Sequence, residues 1–306
     1  MIQFVARRLA GSIIATIAAL TFVFVAIHIA PGDPVEAALS QSLAPRAVIE
    51  NRRRALGLDD PLWLQYVHYV VNMSQGNLGV SWANDQPVSL VVGSQLASTG
   101  ILASAGALVA LSIGVGLGIL SCEGPLRHLA QSVATLLLTT PAIFLGTILI
   151  WVFADLLDWL PATGQQTPGH WILPVLVVGL SAGGAVAKAV ETGVSEVRRQ
   201  PFMRTARAKG LSRGQVTWVH GLRVGLLPAI ELVMLQFGYL LGGTVITETI
   251  FARQGVGRVL VIAILSKDLP VVQAVVLLSI LTYSFLNLLA DVLRGWLDPR
   301  IRIEFP

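Results

Sequence analysis

Apolar positions in this chain gather into runs at about 9–30, 97–121, 131–154, 172–193, 227–250 and 271–293, and the stretches between them hold most of the charge. An α-helix rises about 1.5 Å per residue, so roughly 20 apolar residues cross a hydrocarbon layer of about 30 Å. The runs meet that length, and the pattern predicts about six membrane-spanning helices. The second, fourth and fifth runs are rich in Gly, Ala, Ser and Thr, which let spanning helices approach closely. The string GVGLG from Gly114 to Gly118 lies inside the second run, where close helix packing explains it better than phosphate binding.

The polar stretches orient the runs. The segment 194–226 carries seven of the 21 Lys and Arg residues, more than any other stretch between runs, which places it on the cytoplasmic side. Residues 122–130, with Arg127 and His128, read as a short inner loop. Residues 155–171 hold Asp155 and Asp158 but no Lys or Arg, and read as an outer loop with Trp159 and Trp171 at the interface. Residues 251–270 follow as an outer segment, and Pro270 opens the last helix. The first run is longer than the apolar core of a signal peptide, no A-x-A site follows it, and Arg7 and Arg8 precede it. It reads as a retained first span, so both termini are expected inside. After it comes a long outer segment, in which Tyr66, His68, Tyr69 and Val70 suggest an amphipathic helix beginning after Pro61. Arg46, Arg52, Arg53 and Arg54 are compatible with an outer location because the charge rule is counted over short loops. The expected organisation is a tail and first helix over 1–30, an extracytoplasmic segment over 31–93, a membrane core over 94–293 and a cytoplasmic tail over 294–306.

Composition agrees with a membrane protein. Hydrophobic residues make up 54% and charged residues 12% of the chain, against roughly 25% charged in soluble domains. Mean hydropathy is +0.73. The net charge of +4 sits largely in the inner loops and sets topology, so nucleic acid is not expected as a partner. Cys122 is the single cysteine, which excludes an internal disulfide framework. The histidines at 28, 68, 128, 170 and 220 show no ligand spacing, and no metal site is expected. The three lysines, Lys188, Lys209 and Lys267, follow Ala187, Ala208 and Ser266, so no Walker A loop exists. The G-x-S-x-G strings at Gly179–Gly183 and Gly210–Gly214 lie in an apolar run and in the basic loop, not at a strand-to-helix elbow, and Asp155, Asp158 and Asp291 fall at helix ends, so no catalytic residues are assigned. Lys188 and Glu191 share a helix face and read as a mutual pair. Glu231, Gln236, Glu248, Gln273 and Asn287 are polar residues in or beside apolar runs, where a path or a helix contact would place them.

The most specific stretch runs from Arg198 to Pro228. Its centre, RTARAKGLS from Arg204 to Ser212, is Ala-rich and helix-prone, with Gly210 as a natural stop. With His220 and Leu226-Leu227-Pro228 it resembles the "EAA" coupling loop of ABC importer permeases, in the variant of the dipeptide/oligopeptide/nickel branch. Ala30-Pro-Gly-Asp-Pro-Val35, Leu56-Gly-Leu-Asp-Asp-Pro-Leu62, Gly76-Asn-Leu-Gly-Val-Ser81, Thr247-Glu-Thr-Ile-Phe251 with Gly255-Val-Gly257, and Asp298-Pro-Arg-Ile-Arg302 resemble the same family, in order along the whole chain.

That resemblance implies an all-α type I ABC importer permease fold. It implies a homologous permease, two ABC ATPase subunits and an extracytoplasmic solute-binding protein as partners, besides membrane lipid. ATP and Mg would be bound on the ATPases, with no cofactor on this chain. A short helix around Arg204 to Gln215 would dock into an ATPase cleft. Thr205, Ala206, Ala208, Gly210 and Leu211 would form its surface, and Arg204, Arg207 and Lys209 would steer it by charge. Pro141, Gln236, Gly242, Gly243 and Glu248 are candidates for the translocation path. Di- and oligopeptides, glutathione, nickel and metal chelates are the candidate cargoes. Similar permeases usually carry Arg where Lys188 and Glu191 stand and a neutral residue where Glu231 stands. The alternative is an ion-gradient secondary transporter, which often shows inverted halves with broken helices, and none is visible here.

Overall fold

A computed structural model of the chain describes residues 2–29, 45–55, 57–208, 210, 226 and 244–297. Among these residues the ordered structure is helical apart from one isolated bridge between Val80 and Pro87. The helices are α1 Ile2–Ile29, α2 Arg46–Ala55, α3 Leu62–Ser74, α4 Val88–Leu120, α5 Arg127–Thr139, α6 Ala142–Ile150, α7 Ile172–Arg198, α8 Pro201–Ala208, α9 Val256–Leu265 and α10 Leu269–Leu297. Residues 244–250 are also helical. Two compact units share the chain, one of residues 1–99 with 254–284 and one of 100–253 with 285–306.

In the first unit, Val88 and Val92 of α4, Val256 and Ala263 of α9, and Val271, Ala274 and Val275 of α10 form one apolar cluster. Their spacings of three, four or seven residues put each set on one helix face. A second cluster joins Leu20 and Phe24 of α1 to Tyr66, Tyr69, Val70 and Met73 of α3. Phe24 stacks on Tyr69 at 5.8 Å between ring centres and meets Tyr66 edge-on at 5.3 Å. Pro61 precedes α3, as its sequence predicts, because a proline there gives up no helical hydrogen bond. The Asp268 carboxylate accepts the Ser81 hydroxyl and the backbone N–H groups of Trp82 at 3.0 Å and Ala83 at 3.4 Å. Buried to 3% exposure, it needs those donors, and they fasten the turn at 81–83 to the start of α10.

In the second unit α7 is the central element and carries more buried residues than any other described helix. Its apolar face sorts into clusters: Leu173 and Val177 with Phe251, Val178 with Leu102 and Ala103 of α4, and Val186, Val190 and Val194 with Cys122. The α4–α7 approach depends on glycine. A Cβ at Gly114 would stand 2.5 Å from Val186 Cβ and 2.8 Å from the Gly183 carbonyl, and one at Gly118 would stand 2.8 Å from the Ala187 carbonyl. The GVGLG string is therefore a packing surface, as its place in an apolar run suggests. On the α5 side, a Cβ at Gly184 would stand 2.5 Å from the backbone nitrogen of Leu138.

Three helical segments are long and apolar enough to cross a membrane, Val88–Leu120, Pro168–Arg198 and Leu269–Ala290, with a fourth if α5 and the segment Ala142–Leu156 count as one span. The described residues thus account for three or four of the six expected spans. The first run lies within α1, whose apolar stretch Ala10–Ala26 is shorter than the others. The fifth run lies outside the described residues except for its last turns at 244–250. The run 131–154 is not one straight helix: α5 and α6 are bent by 104°. Pro141 lacks the N–H that would continue the ladder, and Thr140 before it is extended at φ −79°, ψ 121°. Two loop expectations also change. The inner loop ends sooner, because α5 begins at Arg127, and the outer segment 251–270 contains α9.

Candidate functional site

The centre of interest is the junction of α7 with α8. The chain turns through hydrogen bonds from Arg199 N–H to the Glu196 carbonyl, Gln200 N–H to the Val197 carbonyl and Met203 N–H to the Gln200 carbonyl, all 3.0–3.1 Å. Pro201 opens α8, where its fixed φ suits a first turn. Met203 is fully buried against Val197, so α8 is fixed to the end of α7 by an apolar contact as well as by backbone. Thr205 and Ala208 are exposed. Gly210 follows with φ +87°, the left-handed conformation expected of a glycine helix stop, and a side chain there would meet open space.

The described part of the docking helix expected around Arg204 to Gln215 lies in α8, which begins earlier, at Pro201. The side chains of Arg204, Ala206 and Arg207, and residues Lys209 and Leu211–Gln215, lie outside the described residues. Leu226, at the far end of the basic loop, touches the cluster of Cys122, Val186, Val190 and Val194.

Just before α8 a polar network joins three elements. Lys188 Nζ lies 3.0 Å from Glu191 Oε2, the pair the sequence suggests. Gln131 of α5 donates through Nε2 to Glu191 Oε1 at 2.6 Å and to the Ser121 carbonyl at 3.3 Å. Arg198 donates through Nη1 to the Cys122 carbonyl at 3.0 Å, and its Nη2 lies 2.7 Å from Glu123 Oε1. The side chains of Arg198 and Glu191 are each 19% exposed, so water screens these contacts less than it would at a free surface. Burial pushes the Cys122 thiol above its ordinary value, opposed by the positive charge of Arg198. The sequence reading did not single out Gln131 or Arg198. Their partners lie 60 and 76 residues away, and no local pattern announces such pairs.

The path candidates are dispersed. Pro141 sits exposed at the α5–α6 break. Gln236, Gly242 and Gly243 lie outside the described residues. Glu248 is 1% exposed and accepts the Thr244 hydroxyl at 3.0 Å. Close by in the chain, Arg253 is fully buried, with Nη1 donating to the His170 carbonyl at 3.1 Å and its guanidinium 3.7 Å over the Trp171 ring. Trp171 is thus held under a cation, whereas Trp159 is 69% exposed, as an interfacial aromatic would be. In the first unit, Phe24, His28, Gln65, His68, Tyr69 and Gln273 line part of an open cavity of about 290 Å³. Among the described residues no three His, Cys, Asp or Glu side chains group closely enough to hold a metal ion.

Long apolar helices, glycine-tight helix contacts and a short helix held on the end of a long apolar one mark a multi-pass membrane protein. Residues 106–303 match the family described as binding-protein-dependent transport system inner membrane component, and residues 1–103 match the N-terminal region described for such components. The chain belongs to this family. It is 37% identical to the glutathione transport system permease protein GsiC of Pectobacterium atrosepticum, over 99% of this chain and 100% of that one. It is 36% identical, over the same shares, to the protein of that name from Escherichia coli K12. A crystal structure of an amino acid ABC transporter with histidines matches with a TM-score of 0.51 at 16% identity, over 69% of this chain and 94% of that one, which shows a shared fold. The protein is a multi-pass inner-membrane permease subunit of an ABC importer of the peptide/nickel family, and it works with ATPase and solute-binding components.

Proposed function

We propose that this permease, with a homologous permease, forms the path by which glutathione or a related small peptide-like solute enters the cell. The support for the cargo is full-length similarity to permeases named for glutathione transport. The support for ATP drive is α8, a short exposed helix fixed to α7 by Met203 and closed by the left-handed Gly210. In this reading two ATPase subunits hold ATP and Mg. The surface formed by Thr205, Ala206, Ala208, Gly210 and Leu211 enters a cleft of one ATPase, with Arg204, Arg207 and Lys209 steering it. ATP closes the ATPase pair, α8 carries the motion into the bundle, and the path opens outward to the solute-binding protein before reopening inward. Both termini are cytoplasmic, and Pro141, Gln236, Gly242, Gly243 and Glu248 are the path candidates.

Uptake of labelled glutathione into vesicles holding the whole assembly tests this. ATP inside the vesicles should drive uptake and vanadate should stop it. Absence of glutathione uptake, with ATP-driven uptake of a labelled dipeptide by the same vesicles, would move the cargo to peptides. Uptake that persists without ATP and stops when the ion gradients are collapsed would overturn the importer reading.

A further inference from the structure

The network beside α8 is arranged as a mechanical linkage. An Arg guanidinium is a rigid planar fork, and charge-assisted hydrogen bonds are shorter and stronger than neutral ones. Arg198 occupies the last turn of α7 and uses both terminal nitrogens on the turn between α4 and α5, one on the Cys122 carbonyl and one on the Glu123 carboxylate. Gln131 closes the other side, bonding the Ser121 carbonyl of that turn and Glu191 of α7. Meanwhile Val197 and Met203, on either side of Arg198 in the chain, hold α8 to α7. Every route from α8 to the α4–α5 turn through these polar contacts thus passes through α7, and Arg198 is the crossing nearest α8.

We infer that Arg198 is a positioning residue that makes α8 and the α4–α5 turn move as one body, so that a displacement of α8 by the ATPase reaches α4 and α5 as well as α7. This rests on the reading of α8 as the docking helix. Without Arg198, α8 and α7 still move together through Val197 and Met203, and the close α4–α7 and α5–α7 packing still holds the helices, but among the described residues the turn at 121–126 itself keeps only Gln131 and the apolar contact of Cys122 across to α7. Motion is then absorbed at the turn instead of being passed on. Shifts at such interfaces are small, roughly 1–2 Å up to one helical step of about 5 Å, so one slack joint is enough to lose them.

The test uses the complete transporter with its ATPases, in a Cys122→Ser background with cysteine-free partners, carrying spin labels in pairs at Leu126 on the turn, Gln200 beside α8 and Thr163 in the far loop. Distances are read without nucleotide and with ADP–vanadate trapped. In the unaltered complex, Gln200–Thr163 and Leu126–Thr163 should shift together and Leu126–Gln200 should stay constant. In Arg198→Gln, Gln200–Thr163 should still shift, Leu126–Thr163 should lose its shift, and Leu126–Gln200 should broaden. Glu123→Arg alone should loosen the pair similarly, and Arg198→Glu with Glu123→Arg, which restores the ion pair but not the bond to the Cys122 carbonyl, should narrow the Leu126–Gln200 separation relative to Glu123→Arg alone, which a general loss of stability would not do. A constant Leu126–Gln200 separation in both Arg198→Gln and Glu123→Arg overturns the inference. If Arg198→Gln does not assemble, Glu123→Arg and the exchanged pair decide the matter alone. No nucleotide-dependent shift at Gln200 in the unaltered complex refutes instead the docking reading beneath it.

Discussion

At the scale of single residues, close packing sets sharper limits than charge does. Gly184 faces the backbone of α5, which cannot swing aside as a side chain can. Gly184→Ala should therefore cost about 1–3 kcal/mol through overpacking. Gly116→Ala, which meets nothing within 4 Å, should cost nothing or stabilise slightly through helix propensity. Thermal unfolding of the two variants in one detergent checks this: equal midpoints would contradict the close α5–α7 approach. Cys122 gives a second residue-scale expectation. Only the thiolate reacts, and burial raises the thiol's pKa, so at neutral pH less thiolate is present than in a free cysteine. Maleimide labelling of the folded protein should stay slow near pH 7 and accelerate only above the ordinary thiol range near 8.5. Rapid labelling at pH 7 would show an open or differently placed turn.

At the scale of elements, α8 is where sequence and structure meet most closely. Gly210 adopts φ +87° with open space around it, so Gly210→Val is strained by its backbone, at roughly 1 kcal/mol, and not by a clash within the chain. The variant should reach the membrane in normal amount yet lose most transport and loosen ATPase binding, whereas Gly214→Val should do less. Normal uptake and ATPase retention in Gly210→Val would remove α8 from the coupling role. Local signals carried α3, α7 and α8: Pro61 before an amphipathic pattern, an uninterrupted small-and-apolar run, and an Ala-rich turn closed by glycine. The pair Lys188–Glu191 was readable for the same reason, since helical spacing fixes it. What was not readable was non-local or masked by composition. The apolar run 131–154 is continuous in hydropathy, so the break at Pro141 is invisible to any count of hydrophobic residues. In α9, ten mostly apolar residues are too few for a span, so hydropathy alone groups them with an outer loop. Arg253 follows Phe251-Ala252 with no periodicity around it, and its partners His170 and Trp171 are remote in sequence.

At the scale of the whole molecule, orientation is the property that the charge pattern proposes and labelling can test. In a complex with the native cysteine removed, an engineered cysteine at Gln165 should react with an impermeant reagent from outside and one at Gln215 should not. The opposite result would invert every loop assignment and place α8 away from any ATPase. The bend at Pro141 has a consequence of another kind. The first turn of α6 begins with no side-chain cap, and a proline cannot donate to the carbonyl four residues before it. These groups fall near the middle of the apolar run 131–154, and wherever lipid surrounds them each unmet backbone group costs several kcal/mol. Water, or polar groups of a neighbouring chain, must reach them. Amide hydrogen exchange in the assembled transporter should accordingly be fast at Ala142, Ile143 and Phe144 and slow through the centre of α7. Equal protection at both sites would mean that the break is sealed. Fast exchange would mark a damp notch in an otherwise oily wall, placed there by one imino acid.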